Sequence, residues 1–411
     1  MTYPFHFWIT VIFIVLAFGV LQGTCAYLSL LERKIAAWVQ DRLGPNRVGP
    51  YGLLQPIADG IKFLFKEQVM PSHVDKLFYL MGPAIAVSTA LFAFVVVPFG
   101  QTTSPVTAPW PETRAEYAET EPLLQQQKAE YERHVQFVIA PHVDVGILLV
   151  FAVGSLAVYG VILGGWSSNN KYSFLGAMRS SAQLIGYEIP LGLSALAIVL
   201  LSNSLNAERI IDHQLRAGWH LWYQPLAFLL FFTSVLAECN RLPFDLPETE
   251  QELVGGYHTE YSGFKFALYM LGEYTHLITA SFLVAVLFLG GWHFPWIAAA
   301  GSGPVAKLIV LALKMALFIV LAMLLRWTIP RFRFDQLMGL AWKVFIPLAL
   351  LNVLAVMVVK QIGLGKWAEM LVLFIVSIAL LIGAALSNLR RPQTRFDIGD
   401  ARQRMAETAA T

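Results

Sequence analysis

The sequence predicts an all-α protein that crosses a membrane about nine times. Hydrophobic residues make up 57% of the 411 residues and charged residues only 14%, whereas roughly one quarter of a soluble domain is charged. Apolar runs long enough to cross a hydrocarbon core of about 30 Å, which takes roughly 20 helical residues, recur along most of the chain. The net charge is only +2, and the Lys and Arg residues are scattered among the connections. A nucleic-acid-binding face is therefore excluded.

Nine apolar segments are the candidate transmembrane helices of a single membrane domain, residues 1–411. They cover residues 5–31, 77–99, 143–165, 182–202, 221–242, 264–290, 305–329, 338–359 and 367–388. The first segment is not predicted to be a cleaved signal peptide, because no basic residue precedes it and Glu32-Arg33-Lys34 follows it. Within the third segment, Gly160 and Gly164 indicate a close helix–helix contact.

The distribution of Lys and Arg predicts the orientation of these segments. With the N-terminus outside, the inside connections hold twenty of the 29 Lys and Arg residues and the outside connections hold eight, with Lys314 inside a segment. We therefore expect the N-terminus outside and the C-terminus in the cytoplasm of a bacterial cell, as in a multi-pass inner-membrane protein.

Three regions between or after these segments are not expected to span. Residues 51–68 place apolar side chains at helical spacing, interrupted by Asp59, Lys62 and Lys66, which predicts an amphipathic helix at the membrane surface. Residues 100–142 are rich in Pro, Gln, Glu and Tyr and are interpreted as an insertion on the outer side. Residues 389–411 are predicted to be a cytoplasmic tail.

The most informative region is an acidic loop over residues 237–263, which the orientation places in the cytoplasm. Its carboxylates alternate with Pro, Phe and Leu, as in a segment that folds back against protein. They are Glu238, Asp245, Glu248, Glu250, Glu252 and Glu260. This pattern favours buried carboxylates, although a solvated acidic loop that docks a basic partner also fits it.

Two further carboxylates, Glu188 and Glu273, lie inside apolar segments. Such residues are costly in a membrane and usually mark ion or proton paths, although a structural hydrogen bond to another helix is the alternative. Burial and neighbouring carboxylates both favour the neutral form of a carboxyl group. Glu273 and His276 have the Glu-x-x-His spacing of di-iron bundles. No second copy of that spacing occurs, so no metal site is predicted.

Charged residues also cluster at two predicted membrane boundaries. One cluster follows the first segment and comprises Glu32, Arg33, Arg42 and Asp59, and the other comprises Arg326 and Arg331. Anchoring at lipid headgroups would account for both clusters. Cys25 and Cys239 are the only cysteines, too few for a four-thiolate iron–sulfur site, so any redox centre is expected on a partner.

Five stretches of the chain resemble the H-subunit family of bacterial NADH:quinone oxidoreductase, or respiratory complex I, to which mitochondrial NADH dehydrogenase subunit 1 also belongs. They are LLERK at 30–34, GPNRVGPYGLLQPIADGIK at 44–62, GWSSNNKYSFLGAMRSSAQLIGYE at 165–188, the acidic loop, and PRFRFDQLM at 330–338. The chain departs from the family pattern in the 100–142 insertion and in a ninth apolar segment, where many relatives have eight.

The resemblance implies a membrane subunit of a proton-translocating enzyme, with quinone as substrate and no iron–sulfur cluster, flavin or metal on this chain. It implies partners that include peripheral quinone-site and iron–sulfur subunits, antiporter-like and small membrane subunits, and lipid. It assigns Glu32, Arg33, Arg42, Asp59, Arg326 and Arg331 to the quinone chamber. It assigns Glu188, Glu238, Asp245, Glu248, Glu250, Glu252, Glu260 and Glu273 to an acidic proton path.

Three other functions compete with this interpretation. The nearest is the homologous membrane subunit of a hydrogenase or formate-linked complex, which needs no quinone chamber. A free-standing ion transporter would commonly show two related halves, and the sequence contains no internal repeat. A passive membrane anchor would not require carboxylates inside its spans.

Overall fold

The structure, a computed structural model, describes residues 7–96, 122, 125–126, 143–245, 255–294, 303–363 and 365–389. Its regular elements in these ranges are α-helices with short 3₁₀ and π segments, which confirms the predicted all-α class. The helices are α1 Phe7–Val39, α2 Gln55–Phe65, α3 Lys76–Phe92, α4 Gly146–Ser155, α5 Ala157–Ser167, α6 Lys171–Ser202, α7 Ala207–Ala217, α8 His220–Tyr223, α9 Pro225–Glu238, α10 Gly263–Phe288, α11 Pro304–Thr328, α12 Phe334–Leu340, α13 Ile346–Ile362 and α14 Lys366–Leu389.

Eight helical segments in the described ranges are long and apolar enough to cross a membrane. They are Ile14–Val39, Lys76–Val95, Gly146–Ser167, Lys171–Ser202, Gly263–Phe288, Val305–Thr328, Phe334–Ile362 and Lys366–Leu386. A polytopic helical membrane protein is therefore confirmed. The 100–142 insertion and the tail after residue 389 lie outside the described residues, apart from residues 122 and 125–126.

Within the predicted span over residues 221–242, the structure forms a helix that is shorter than the other candidate spans. Gln224 leaves the helical conformation, with φ −138° and ψ 62°, and separates α8 from the 14-residue α9. At 1.5 Å per residue, α9 is about 21 Å long, less than the hydrocarbon thickness of about 30 Å. The side chain of Gln224 accepts a 2.7 Å hydrogen bond from Asn352 of α13. Because of this break, α9 begins only at Pro225, and it ends at Glu238.

Two helices extend beyond their predicted apolar segments into charged sequence. Helix α1 continues to Val39, so Glu32 and Arg33 lie on a helix instead of in a loop. Helix α6 begins at Lys171 because the Asn170 side chain caps it, accepting a 3.0 Å hydrogen bond from the Tyr172 amide. Hydrophobicity alone did not indicate these extensions, because burial against protein lets polar helical turns persist.

Helix α2, Gln55–Phe65, lies within residues 51–68, for which an amphipathic helix at the membrane surface is predicted, and that placement stays a prediction. It begins after a tight turn at Gly52, whose φ is +78° and where a Cβ would collide with the Pro45 carbonyl oxygen. Glycine is the residue that permits both the positive φ and this contact. Ile57 and Ile61 of α2 are exposed, as expected of a helix with one face free for lipid.

Helices α3 and α5 pack closely through glycines, as the sequence indicated for Gly160 and Gly164. A Cβ at Gly82 of α3 would lie 3.1 Å from the Gly160 carbonyl oxygen and 3.2 Å from the Gly164 Cα. Tyr269 of α10 places its hydroxyl against this contact and donates a hydrogen bond of 3.1 Å to Gly160. The three helices therefore meet without space for larger residues at these positions.

The far end of α10 is held by side chains that bond its terminal carbonyl groups, which otherwise have no intrahelical partner. Gln214 donates to Val286 at 2.7 Å, and the His220 Nδ1 lies 2.9 Å from the Leu287 oxygen. Burial lowers the pKa of His220 to about 3, with His213 adding to the effect. His220 is therefore neutral.

Lys314 of α11 completes this cap. Its ammonium donates to the carbonyl oxygens of Leu289, Gly291 and His293 at 2.5, 2.9 and 2.6 Å, and it is buried. The negative end of the helix dipole stabilises a cation at this position. Lys314 therefore has a structural role: although it belongs to α11, it caps the C-terminal end of α10.

We expect Lys314→Met to destabilise the protein by about 1–3 kcal/mol, because it leaves buried carbonyl groups without donors. Lys366→Met, at an exposed position at the start of α14, should change stability by no more than about 0.5 kcal/mol. Thermal unfolding of the detergent-solubilised protein measures the difference. Equal melting temperatures for the two variants would contradict the cap.

Candidate functional site

A chamber of about 670 Å³ lies among α1, α2, α10 and α11. Its walls are mostly apolar, with charged side chains concentrated in a few places. The lining residues are Cys25, Ala26, Ser29, Glu32, Arg33, Ala36, Arg42, Pro45, Pro56, Asp59, Gly60, Phe63, Phe266, Ala267, Met270, Leu271, Tyr274, Arg326 and Trp327. Five of the six residues assigned to the chamber from the sequence therefore line it.

Glu32, at one wall of the chamber, is a buried carboxylate with three partners from distant parts of the chain. Nη1 of Arg241 donates to both of its oxygens, at 2.9 Å from Oε1 and 2.8 Å from Oε2. Arg326 also forms an ion pair with Oε1. The Tyr274 hydroxyl donates to Oε2 at 2.8 Å, and the Arg241 guanidinium lies 4.4 Å from the Tyr274 ring centre. We call these four residues the Glu32 cluster.

The Glu32 cluster contains two guanidinium groups and one carboxylate, so it carries a net positive charge. Burial by itself lowers the pKa of Arg241, but the adjacent Glu32 carboxylate outweighs burial and raises that pKa. Arg241 is only 7% exposed. The cluster therefore presents a fixed cationic charge to the chamber, in surroundings where solvent screens it weakly.

The loop after α9 carries two residues that form ion pairs, Arg241 and Asp245, and side chains of other elements hold it in place. Gln183 of α6 donates to the carbonyl oxygens of Ala237 and Phe244 at 2.8 and 2.7 Å. Asp245, which is buried, accepts a 2.8 Å ion-pair hydrogen bond from Arg331. These contacts fix the path of the chain from Glu238 to Asp245.

The chamber wall formed by α2 carries a more exposed ion pair. Arg33 of α1 and Asp59 of α2 lie 2.7 Å apart, with side chains that are 48% and 22% exposed. Arg42 donates to Gln40 at 2.7 Å. The Arg33–Asp59 pair joins the amphipathic helix to α1.

A second space, the carboxylate cavity, lies deeper in the bundle and has a volume of about 50 Å³. Three predicted carboxylates line it: Glu188 from α6, Glu238 from the end of α9 and Glu273 from α10. Small residues such as Gly154 and Gly272 form much of the remaining wall. Like charges in one small cavity repel each other, so a proton bound within the set relieves the repulsion.

A polar space of about 100 Å³, the junction, adjoins both the chamber and the carboxylate cavity. Its lining is Asn240, Arg241, Leu242, Asp245, Met270, Glu273, Tyr274 and Arg326. Arg326, Met270 and Tyr274 also line the chamber, and Asn240 and Glu273 also line the carboxylate cavity. A continuous series of side chains therefore connects the Glu32 cluster to the three carboxylates.

Two described residues, Glu260 predicted for the path and Arg331 predicted for the chamber, do not line these spaces. Glu260 accepts a 2.7 Å hydrogen bond from Asn170, and no space described above includes it in its lining. Arg331 pairs with Asp245 and likewise does not line the chamber in the described ranges. Glu248, Glu250 and Glu252 lie outside the described residues.

Sequence reasoning missed two members of the Glu32 cluster, Arg241 and Tyr274. Arg241 follows the apolar end of α9 by three residues, within a stretch that was considered only for its carboxylates. Tyr274 is the neighbour of Glu273, and a tyrosine in an apolar helix carries no distinctive signal. A basic residue next to a buried acidic stretch could have indicated Arg241 as an ion-pair partner.

We expect Glu32→Gln to destabilise the protein by about 3–5 kcal/mol, because it leaves buried Arg241 without its carboxylate. Asp59→Asn breaks the exposed pair with Arg33 and should cost at most about 1 kcal/mol. The two variants are compared by thermal unfolding in the same detergent. A Glu32→Gln variant as stable as Asp59→Asn would show that the cluster does not hold the helices together.

Comparison with known proteins agrees with this architecture. Residues 10–357 match the NADH dehydrogenase family. This range includes all of α1 to α12 apart from the first residues of α1, and with them every residue that lines the chamber, the junction and the carboxylate cavity.

Individual relatives extend over most of the chain. It is 46% identical over 344 residues to the H subunit of NADH-quinone oxidoreductase from Leptospira biflexa, covering 82% of this chain and 91% of the relative. It is 44% identical over 356 residues to the protein of the same name in Thermomicrobium roseum, covering 84% and 94%. One of the H subunits of NADH-quinone oxidoreductase from Cytophaga hutchinsonii is 43% identical over 332 residues, covering 80% and 90%. The chain therefore belongs to the NADH dehydrogenase family of multi-pass membrane proteins that includes these H subunits.

Proposed function

We propose that this chain is the membrane subunit of a proton-translocating NADH:quinone oxidoreductase that binds quinone in the chamber and couples its reduction to proton movement. The observation that carries the proposal is the arrangement of the chamber next to the carboxylates. An apolar-walled space ends at the Glu32 cluster, and that cluster adjoins three carboxylates inside the helix bundle.

The chamber suits an amphipathic substrate with a long apolar tail and a polar ring. Its volume of about 670 Å³ falls within the usual range for ligand sites, about 300–1,000 Å³. Phe63, Phe266 and Trp327 supply apolar wall, and Arg326 of the Glu32 cluster supplies donors for a reduced quinone oxygen. In the proposed complex, a peripheral subunit carrying an iron–sulfur cluster delivers the electrons to the quinone ring.

Quinone reduction adds two electrons and takes up two protons, so the charge inside the chamber changes during the reaction. At an effective dielectric constant of about 20, two unit charges 4 Å apart interact with about 4 kcal/mol. An energy of this size changes the acid dissociation constant of a carboxyl group by several powers of ten. Arg241 and Tyr274 connect the chamber to Glu273 through the junction. Through them, the charge change alters proton occupancy among Glu188, Glu238 and Glu273.

The proposed setting is the inner membrane of a bacterium, with the N-terminus outside and the C-terminus in the cytoplasm. The redox centres belong to peripheral subunits, and quinone is the substrate at this chain. Antiporter-like and small membrane subunits receive the disturbance from the carboxylates. Copurification with NADH-oxidising subunits separates this function from that of a hydrogenase-linked relative.

Ala267→Phe narrows the chamber and tests whether quinone occupies it. We expect the KM for a long-tailed quinone to rise about tenfold, a loss of about 1.4 kcal/mol in binding, while NADH oxidation by a hydrophilic acceptor upstream is unchanged. Leu350→Phe, on an exposed face of α13, serves as the control. An unchanged KM in the assembled Ala267→Phe complex would place the quinone elsewhere.

Glu238→Gln and Glu273→Gln keep the side-chain shape but cannot exchange a proton. We expect each to slow quinone reduction and proton pumping by about tenfold or more, because positioned proton-transfer groups typically contribute about 10²–10⁴-fold. Glu67→Gln, at an exposed position after α2, should leave both rates unchanged. The rates are measured in sealed membrane vesicles, and wild-type values in both cavity variants would refute the proton path.

A further inference from the structure

A small pocket continues the carboxylate cavity on the side away from the chamber. Its volume is about 20 Å³, and we call it the far pocket. It is lined by Thr89, Ala93, Val150, Phe151, Gly154, Val235, Glu238, Cys239, His276, Thr279, Ala280 and Leu283. Glu238 and His276 line both spaces, together with Gly154 and Cys239. The imidazole of His276 therefore stands at the boundary between them.

Helix α10 places His276 one turn beyond Glu273. The chamber lining on this helix ends at Tyr274, the carboxylate-cavity lining comprises Tyr269, Gly272, Glu273 and His276, and the far-pocket lining begins at His276. Along α10 the carboxylate cavity therefore overlaps the other two spaces, and the chamber ends before the far pocket begins. His276 is the first acidic or basic residue of α10 beyond Glu273.

The far pocket offers few groups that can exchange a proton. Thr89 of α3 and Thr279 of α10 donate their hydroxyl hydrogens to carbonyl groups of their own helices, at 2.9 and 3.0 Å. Cys239 is a buried free thiol, and a thiol is only a weak hydrogen-bond donor and acceptor. In the described lining, Glu238 and His276 are the groups suited to proton exchange.

We propose that His276 carries protons between the carboxylate cavity and the far pocket, away from the chamber. An imidazole suits this role because it accepts a proton at one ring nitrogen and releases one from the other. The groups that face it across the cavity are Glu188 from α6, Glu238 from α9 and Glu273 from its own helix. A space of about 20 Å³ has room for one water molecule to receive the proton.

This role rests on the proposed function, since it extends the path of the three carboxylates by one group. It also gives the Glu-x-x-His spacing of Glu273 and His276 a purpose other than metal binding. In the described residues, no group of three or more candidate ligands is placed to hold a metal ion. The pair instead places an acid and a base on one face of α10, where both line the carboxylate cavity.

The experiment uses the assembled complex in sealed membrane vesicles, with His276→Asn and His276→Gln. The two amides keep a hydrogen-bonding group near the positions of Nδ1 and Nε2 but cannot carry a proton. We expect each to lower proton pumping and uncoupler-stimulated quinone reduction about tenfold, with rates normalised to assembled complex. His276→Glu, which can carry a proton, is expected to recover part of the pumping. Wild-type rates in either amide variant, or no recovery in the Glu variant, would overturn the relay.

His213→Asn is the matched control, because His213 is another partly buried histidine and Asn retains the donor that faces His220. It should leave both rates unchanged. Glu238→Gln is measured alongside. Wild-type behaviour of Glu238→Gln and of the histidine amides together would refute the carboxylate path itself, whereas an impaired Glu238→Gln with wild-type amide variants would refute the histidine relay alone.

Discussion

The buried carboxylate of Glu32 joins four parts of the chain that lie far apart in sequence. It lies on α1 and binds Arg241 after α9, Tyr274 on α10 and Arg326 on α11. A buried charge is tolerated when partners of opposite charge and hydrogen-bond donors surround it. The arrangement of these helices around the chamber depends on that requirement.

The same contacts position the deeper carboxylates. Arg241 lies three residues after Glu238, and Tyr274 is adjacent to Glu273. Because Glu32 holds Arg241 and Tyr274 in place, it also fixes the backbone that carries Glu238 and Glu273. Gln183 adds a second constraint from α6, because it binds carbonyl groups on both sides of Arg241. The geometry of the chamber and that of the carboxylate cavity are therefore set together.

A charge in the chamber can act on the carboxylate cavity because the groups between the two spaces are sheltered from water. Glu32 and Arg241 are 5% and 7% exposed, so bulk solvent screens their interactions weakly. Asn240 and Asp245, which line the junction, each have a buried oxygen that makes no hydrogen bond within the described part of the chain. Such atoms are usually satisfied by water, which suits the proposed coupling between the chamber and the carboxylates.

The sequence alone predicted most of the fold, because hydrophobic length and composition determine which helices can span a membrane. It overestimated the segment around α9, since the break at Gln224 depends on a contact with Asn352 of α13. The site was predicted through its carboxylates and through the family resemblance. Arg241 and Tyr274 were missed because their partner, Glu32, lies 209 and 242 residues away, and one sequence contains no record of such a pairing.

The account requires that carboxyl groups of the cavity change protonation when quinone in the chamber is reduced. Redox-induced infrared difference spectroscopy of the assembled complex measures this directly through the carbonyl band of protonated carboxyl groups. The account predicts a carboxyl signal that accompanies quinone reduction and that decreases when Glu238 or Glu273 is replaced by its amide. A spectrum without carboxyl changes, or one that both replacements leave unaltered, would contradict it.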